Sequence, residues 1–268
     1  MVRNFSIFVM IAVIGSVSNA QSQTPAAAVD LPTRPDVTER VLYLSAPQPK
    51  AAAILFTGGD DGLLIADDGR IERGAGNFLV RSSRRSADEG LAVAVLGAPS
   101  DRRSPPFLSG WRQSPAHAAD VRAVIAWLRE KTGLPVWLVG TSRGTQSAAA
   151  VALALGAPPA GPDGIVLTST ILRDPRSTAV PQMAVDRLAV PVLVVHHKSD
   201  ACIVCPPDAA APLVDALTAA SRKALMMFDG GFTRGDPCEA QAYHGFNGIE
   251  GEVVGKVVGW MLGTIRSY

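Results

Sequence analysis

The chain lacks a strong charge of either sign: its 268 residues include 25 Lys and Arg against 24 Asp and Glu. It also has no basic stripe, no interleaving of aromatic and basic residues, and no acidic tail. Binding to nucleic acid or to an anionic membrane surface requires a cationic face. We therefore expect no nucleic-acid partner and no attachment to membranes through surface charge.

Long hydrophobic runs are also missing, apart from residues 5–17 near the N-terminus. That run is shorter than the ~20 apolar residues that a membrane span needs, and no later segment reaches this length. Arg3 precedes the run, and Ser18-Asn19-Ala20 follows it as a small-x-small cleavage pattern. This arrangement predicts a signal peptide over residues 1–20 and a periplasmic or secreted protein without an integral span; an uncleaved anchor is the alternative.

Internal repeats and low-complexity tracts are absent, and the chain reads as one domain. Residues 21–40 are rich in Pro and Ala without periodicity, which predicts an extended arm before a domain over 41–268. In that domain, short apolar runs alternate with amphipathic stretches. Strands are expected at 41–44, 52–56, 91–96, 136–139, 164–168, 190–195 and 224–228, and helices at 76–86, 115–131, 145–155, 209–221 and 249–262. This alternation predicts an α/β fold with a doubly wound, mostly parallel sheet flanked by helices.

A Gly-x-Ser-x-Gly pattern stands where one of these strands turns into a helix. The segment 135–150 reads PVWLVGTSRGTQSAAA, with Ser142 between Gly140 and Gly144. A serine at the tip of such a sharp turn presents its hydroxyl away from the backbone, next to the free N–H groups of the helix start. Ser142 is therefore the candidate nucleophile, and the N–H of Arg143 is a candidate oxyanion donor.

Only four histidines can act as the base that a serine nucleophile needs. His117 begins a helix and His196-His197 end a strand, whereas His244 lies in a polar, glycine-containing loop before the last helix. Asp200 follows the strand that ends near His196, so it leaves the sheet at its carboxyl edge. These positions make His244 the candidate base and Asp200 its carboxylate partner.

The order Ser142, Asp200, His244 resembles the α/β-hydrolase family, and the resemblance extends over nearly the whole chain after the signal peptide. It implies an acyl-enzyme mechanism in which Ser142 attacks, His244 moves protons and Asp200 orients His244. Asp174 is the competing acid, because some members carry the carboxylate one strand earlier. About 19 residues join the two strands where larger members insert a cap, so we expect a small enzyme without a cap domain.

The loop from Phe56 to Gly62 resembles the family's His-Gly loop, with Thr57 in place of the histidine. The resemblance makes Gly59 the second oxyanion donor and Asp60 the runner-up. The side chain of Arg143 has two interpretations: it recognises a substrate carboxylate, or it pairs with a neighbouring acid as scaffold. Residues 105–111, ending in Trp111, are the expected rim of the site.

The three cysteines, Cys202, Cys205 and Cys238, all lie close in sequence to the proposed acid and base. Because exported chains oxidise such pairs, we expect a Cys202–Cys238 disulfide and a free Cys205. A Cys202–Cys205 redox pair is one alternative. A zinc site built from the three cysteines and His244 is the other, and it would consume the proposed base.

Together these features predict a serine hydrolase that acts on carboxylic esters of small molecules and needs no cofactor or metal. Peptidase, thioesterase, lactonase and acyltransferase chemistry use the same three residues and stay open. A binding protein with this fold and no catalytic activity is an alternative from a different class. The sequence does not indicate the acyl group, the alcohol or the oligomeric state.

Overall fold

The fold is given by a computed structural model that describes Met1 and residues 25–60 and 62–264. The predicted signal peptide, residues 1–20, lies outside the described residues apart from Met1. The described residues contain ten strands, β1 to β10, which run in chain order as Ala27–Arg34, Val37–Ser45, Ala51–Phe56, Leu64–Ile65, Ile71–Arg73, Leu91–Leu96, Val136–Thr141, Gly164–Thr168, Val192–His197 and Lys223–Phe228. The same residues contain six α-helices, α1 to α6, which are Phe78–Arg81, Ser83–Asp88, Pro115–Thr132, Gly144–Leu155, Ala210–Ala216 and Glu250–Met261.

Eight of the strands form one central sheet in the order β1-β2-β6-β3-β7-β8-β9-β10. The six strands from β6 to β10 along this order are parallel, whereas β2 runs antiparallel to both β1 and β6. All residues of β3, β6, β7, β8 and β9 are buried. Their continuous apolar runs arise because helices cover both faces of a parallel sheet.

The helices divide between the two faces and enclose two apolar cores. Side chains of α3, α4 and α5 pack into one core, and those of α1, α2 and α6 pack into the other. Residues 169–191, between β8 and β9, contain only two short 3₁₀ turns, so no cap domain occurs in the described chain. The predicted α/β architecture without a cap is confirmed.

The N-terminal part of the domain differs from the sequence prediction. The expected extended arm, residues 21–40, contains the edge strand β1 and the start of β2, which pair from Ala27 opposite Tyr43 to Arg34 opposite Val37. Leu31 is buried in the core, and Arg40 of β2 binds Asp30 of β1 at 2.6 Å. Proline is tolerated on an edge strand, so the Pro-rich composition concealed β1.

The predicted helix over 76–86 is divided into α1 and α2, which meet at Ser82. Among the described residues, no helix combines the length and the apolar character needed to cross a membrane.

Candidate active site

Ser142 lies in the tight turn between β7 and α4, at the carboxyl edge of the sheet. Its φ is +52°, a left-handed conformation that is rare outside glycine. A Cβ on Gly140 would lie 2.4 Å from the carbonyl oxygen of Gly144, and one on Gly144 would lie 2.2 Å from that of Phe56. Only glycine fits at these two positions, because the turn brings its own backbone and the end of β3 into contact.

His244 and Asp200 are paired at the same edge of the sheet. The Nδ1 atom of His244 lies 2.9 Å from Oδ2 of Asp200, and both side chains are buried. The backbone N–H of Cys202 donates to the other Asp200 oxygen at 2.9 Å, and the Ser169 hydroxyl donates to the carbonyl of His244 at 2.7 Å. These contacts fix the imidazole, whose Nε2 is buried and has no hydrogen-bond partner in the described part of the chain.

Ser142 and His244 line one cavity of about 390 Å³. Its other walls come from the Gly58-Gly59 loop and from side chains that sequence patterns did not indicate: Arg73, Asn77, Phe78, Glu239 and Gln241. These five residues lie in a short hairpin, at the start of α1 and in the loop before His244. Asn77 carries the one recognisable signal, since its side chain caps α1 by accepting from the Leu79 N–H at 3.1 Å.

The proposed oxyanion donors lie beside Ser142. A Cβ on Gly58 would lie 3.0 Å from the Cβ of Ser142, so this loop touches the nucleophile turn. Gly59 has a φ of +66° and lines the cavity. The Arg143 N–H makes no hydrogen bond within the described chain. Asp60, the alternative donor, has its carboxylate bound to the Gly62 N–H at 2.9 Å and to Arg73 at 3.1 Å.

Asp174, the competing acid, pairs with Arg143 at 2.7 Å rather than with a histidine. Burial favours a higher pKa for Asp174, but hydrogen bonds from Arg143, Ser177, the Arg176 N–H and Gln146 outweigh it and hold the pKa below its ordinary value. The carboxylate is therefore ionised and acts as scaffold for Arg143. This contact is the one that the second interpretation of the Arg143 side chain expects, and it uses only Nη1, so it does not decide against the first interpretation.

Cys202 and Cys238 form the expected disulfide, with Cα atoms 4.5 Å apart, and Cys205 is free and buried. Burial raises the pKa of the Cys205 thiol well above 9.0, with a smaller raising effect from Asp200. The sulfurs of Cys202 and Cys205 and a ring nitrogen of His244 lie within 4.8 Å of one another. The disulfide occupies two of the four ligands of the alternative zinc site, so that site requires the reduced protein.

The other three histidines do not line the cavity that contains Ser142. His117 is fully buried in the helix α3 rather than capping it, and burial lowers its pKa to about 3. His196 accepts a hydrogen bond from the Thr170 N–H at 3.0 Å, and burial lowers its pKa to about 4. His197 stacks on Tyr243 with ring centroids 4.5 Å apart.

The expected rim, residues 105–111, does not line this cavity. The Phe107 ring lies 4.6 Å from the guanidinium of Arg73, and the Trp111 ring lies 3.9 Å from that of Arg102. The Trp111 ring therefore packs against the guanidinium groups of Arg102 and Arg34 and does not line the cavity with Ser142. Part of this segment, including Leu108, lines a second cavity, which shares no described lining residue with the first.

Solved structures with the same architecture are numerous. An esterase from Pyrococcus furiosus aligns with a TM-score of 0.63 and 11% identity, covering 97% of this chain and 99% of the other. A dienelactone hydrolase from Anabaena variabilis aligns at 0.61 and 13%, covering 91% and 100%. A lidless α/β serine hydrolase from Xanthomonas campestris aligns at 0.55 and 19%, covering 89% and 98%. No protein-family model matches the sequence, and no curated protein matches it.

These similarities establish the class of fold. The chain has the α/β-hydrolase fold, in its form without a cap domain, with Ser142, Asp200 and His244 at the carboxyl edge of the sheet.

Proposed function

We propose that this protein is a serine hydrolase that cleaves carboxylic esters of small molecules through an acyl-enzyme. Ser142 is the nucleophile, His244 the general base and then acid, and Asp200 the carboxylate that orients His244. The observation that carries this proposal is the shared cavity. It contains Ser142 at a strained turn and His244, whose Nδ1 is bound to Asp200 and whose Nε2 has no partner in the described chain.

The attack step follows from the imidazole geometry. Because Asp200 accepts a hydrogen bond from the Nδ1–H of His244, the neutral ring presents Nε2 as the proton acceptor. Nε2 takes the Ser142 hydroxyl proton as the serine oxygen bonds to the ester carbonyl carbon. The buried Asp200 carboxylate then stabilises the imidazolium that forms.

The N–H groups of Gly59 and Arg143 donate hydrogen bonds to the carbonyl oxygen and stabilise the negative charge that develops on it. The positive end of the α4 dipole adds to this stabilisation. His244 next donates its proton to the departing alcohol, which leaves an acyl group on Ser142. Water, deprotonated by His244, releases the acid in the second half of the reaction.

The first experiment is labelling with a fluorophosphonate probe, followed by peptide mass spectrometry. We expect an adduct on Ser142 that is lost in Ser142→Ala and weakened in His244→Ala. Ser199→Ala is the matched control, because Ser199 is exposed and lies next to Asp200. A folded protein that carries no adduct contradicts the proposal and favours a binding protein without catalytic activity.

Hydrolysis of short-chain 4-nitrophenyl esters, measured on the same variants, identifies the ester reaction. Activity on peptide amides, thioesters or lactones with none on open-chain esters would assign Ser142 to one of the other acyl-transfer reactions. Among solved structures with this fold, the Pyrococcus furiosus protein is named an esterase, which supports testing esters first.

The proposal also includes the location of the protein, which we place in the periplasm or outside the cell. A disulfide persists in oxidising compartments, so the Cys202–Cys238 bond supports a periplasmic or secreted location. We expect cleavage after Ala20, so that the exported chain begins at Gln21. N-terminal sequencing of the exported protein checks this, because a start at Gln21 is expected and retention of Met1 contradicts it.

A further inference from the structure

A second cavity of about 420 Å³ is lined by the segment 106–113, the start of α4 and the loop after β8, and His244 does not line it. Its polar lining consists of Arg112, Gln113, Arg143, Gln146, Arg176 and Ser177, together with Ser109. Three of the described lining residues are arginines and none is acidic. Arg176 is the lining arginine without an ion pair to a described residue, whereas the cavity with Ser142 contains Arg73 paired with Asp60, and also Glu239.

One buried carboxylate organises this cavity from beneath. Asp174 has no exposed side-chain surface, and its Oδ2 accepts from Nη1 of Arg143 at 2.7 Å and from Nε2 of Gln146 at 3.1 Å. It also accepts from the Ser177 hydroxyl and, through Oδ1, from the backbone N–H of Arg176 at 2.9 Å. Asp174 thus fixes the lining while it balances the charge of one arginine.

The guanidinium groups of Arg143 and Arg176 keep N–H donors that make no hydrogen bond within the described chain. Arg143 uses only Nη1 in hydrogen bonds within the described chain, and 28% of its side chain is exposed. The guanidinium of Arg176 is exposed and makes no ion pair with any described residue. Guanidinium groups bind carboxylates through two parallel N–H donors, and a pre-oriented pair of them favours an anion over a neutral group.

Two residues that line this cavity, Arg143 and Arg112, are neighbours of the proposed catalytic groups. Arg143 follows the nucleophile in sequence, and Nη2 of Arg112 donates to the carbonyl of Gly59 at 3.1 Å. Because His244 must protonate the departing alcohol, the alcohol belongs in the cavity that His244 lines. The acyl group then extends past Gly59 and Arg143 toward the second cavity.

We propose that this second cavity binds a carboxylate at the far end of the acyl group, so that the substrate is a half-ester of a dicarboxylic acid. This inference rests on the proposed function, because it assigns the acyl side of the same site. Arg143 and Arg176 bind the anion, and Asp174 positions them.

The kinetic test compares two esters of equal length, monomethyl adipate, which carries a carboxylate, and methyl adipamate, which carries a neutral carboxamide. We expect the wild-type protein to favour the anion in kcat/KM by about fivefold or more, the effect of roughly 1 kcal/mol. Arg176→Gln is expected to bring this ratio close to one. Arg173→Gln is the matched control, since Arg173 is exposed on the same loop without lining the cavity. The Arg173→Gln variant should keep the wild-type kcat/KM for both esters and therefore the same preference for the anionic one.

A binding measurement separates this inference from the proposed function. Calorimetry with Ser142→Ala is expected to show tighter binding of monomethyl adipate than of methyl adipamate, with the difference lost when Arg176→Gln is added. If this holds while no ester is hydrolysed, the anion site stands and the hydrolase proposal fails. Equal binding of both esters, or a preference that survives Arg176→Gln, overturns the anion site.

Discussion

The carboxylate of Asp200 lies 2.9 Å from Nδ1 of His244, although 44 residues separate the two in sequence. Asp200 follows β9 and His244 belongs to a 3₁₀ turn before α6, so the carboxyl edge of the sheet brings them together. The pairing leaves Nε2 as the ring nitrogen without a hydrogen-bond partner in the described chain. It gives the imidazole one tautomer and one orientation before any substrate binds.

Replacing Asp200 by Asn tests this pairing. The amide cannot hold the same tautomer or stabilise an imidazolium, so we expect kcat for ester hydrolysis to fall by about 10⁴-fold. Fluorophosphonate labelling of Ser142 should slow in parallel. Circular dichroism and the thermal midpoint control for folding. A loss below tenfold in a folded Asp200→Asn protein would mean that Asp200 does not orient the base.

The Cys202–Cys238 disulfide joins the Asp200 loop to the segment before His244. Its removal in a Cys202→Ala/Cys238→Ala double variant is expected to lower the free energy of unfolding by about 2–4 kcal/mol, because the bond restricts the unfolded chain. The activity should fall as well, since the His244 loop loses its covalent tie. Urea unfolding and ester hydrolysis measure the two effects.

Cys205→Ala is the control for that variant, as it removes a buried thiol and keeps the disulfide. We expect it to retain more activity than the double variant. Equal losses in both would show that packing around the cysteines, rather than the covalent bond, supports the site.

The turn at Ser142 predicts a severe effect of Gly144→Ala. The new Cβ would lie 2.2 Å from the carbonyl oxygen of Phe56, a contact that only a backbone shift can relieve. We expect loss of activity together with a clear drop in thermal stability. Gly255→Ala is the matched control in the helix α6, where the nearest atom, on Glu89, is 3.7 Å away. There alanine should be neutral or stabilise by up to about 1 kcal/mol.

Burial of neutral His117 predicts that stability falls in acid. The folded-state pKa of His117 is lowered to about 3 from 6.5, so the unfolded chain binds a proton that the folded chain excludes between these values. The free energy of unfolding is unaffected by His117 above pH 6.5, and it decreases as the pH falls from 6.5 toward 3. His196, whose pKa is lowered to about 4, adds an effect of the same sign.

His117→Leu should reduce this loss by about 1.4 kcal/mol per pH unit between roughly pH 6 and pH 4. Both ring nitrogens of His117 lack partners in the described chain, so leucine removes no hydrogen bond found there. Urea unfolding at a series of pH values measures the slope, with values above pH 7.5 as internal reference. An unchanged slope would show that His117 is charged or accessible in the folded protein.

Much of the fold could be predicted from the sequence because its signals are local. Apolar runs of five or six residues marked β3, β6 and β8 at or within one residue of their observed bounds. The Gly140-x-Ser142-x-Gly144 spacing likewise predicted a turn in which a Cβ on either glycine would lie only 2.4 or 2.2 Å from a backbone oxygen. Periodicity and turn chemistry act within a few neighbouring residues, so they can be read without the rest of the chain.

The sequence by itself determined seven of the eight strands of the central sheet, the glycine turn at Ser142 and the small set of histidines and cysteines near it. Only the tertiary structure decided that Asp174 forms an ion pair with Arg143 and that β1 extends the sheet. It also decided that Arg73, Asn77 and Arg176 line cavities. Those side chains come from separate segments that carry no motif. Their placement depends on long-range packing, which makes neighbours of residues that are remote in sequence.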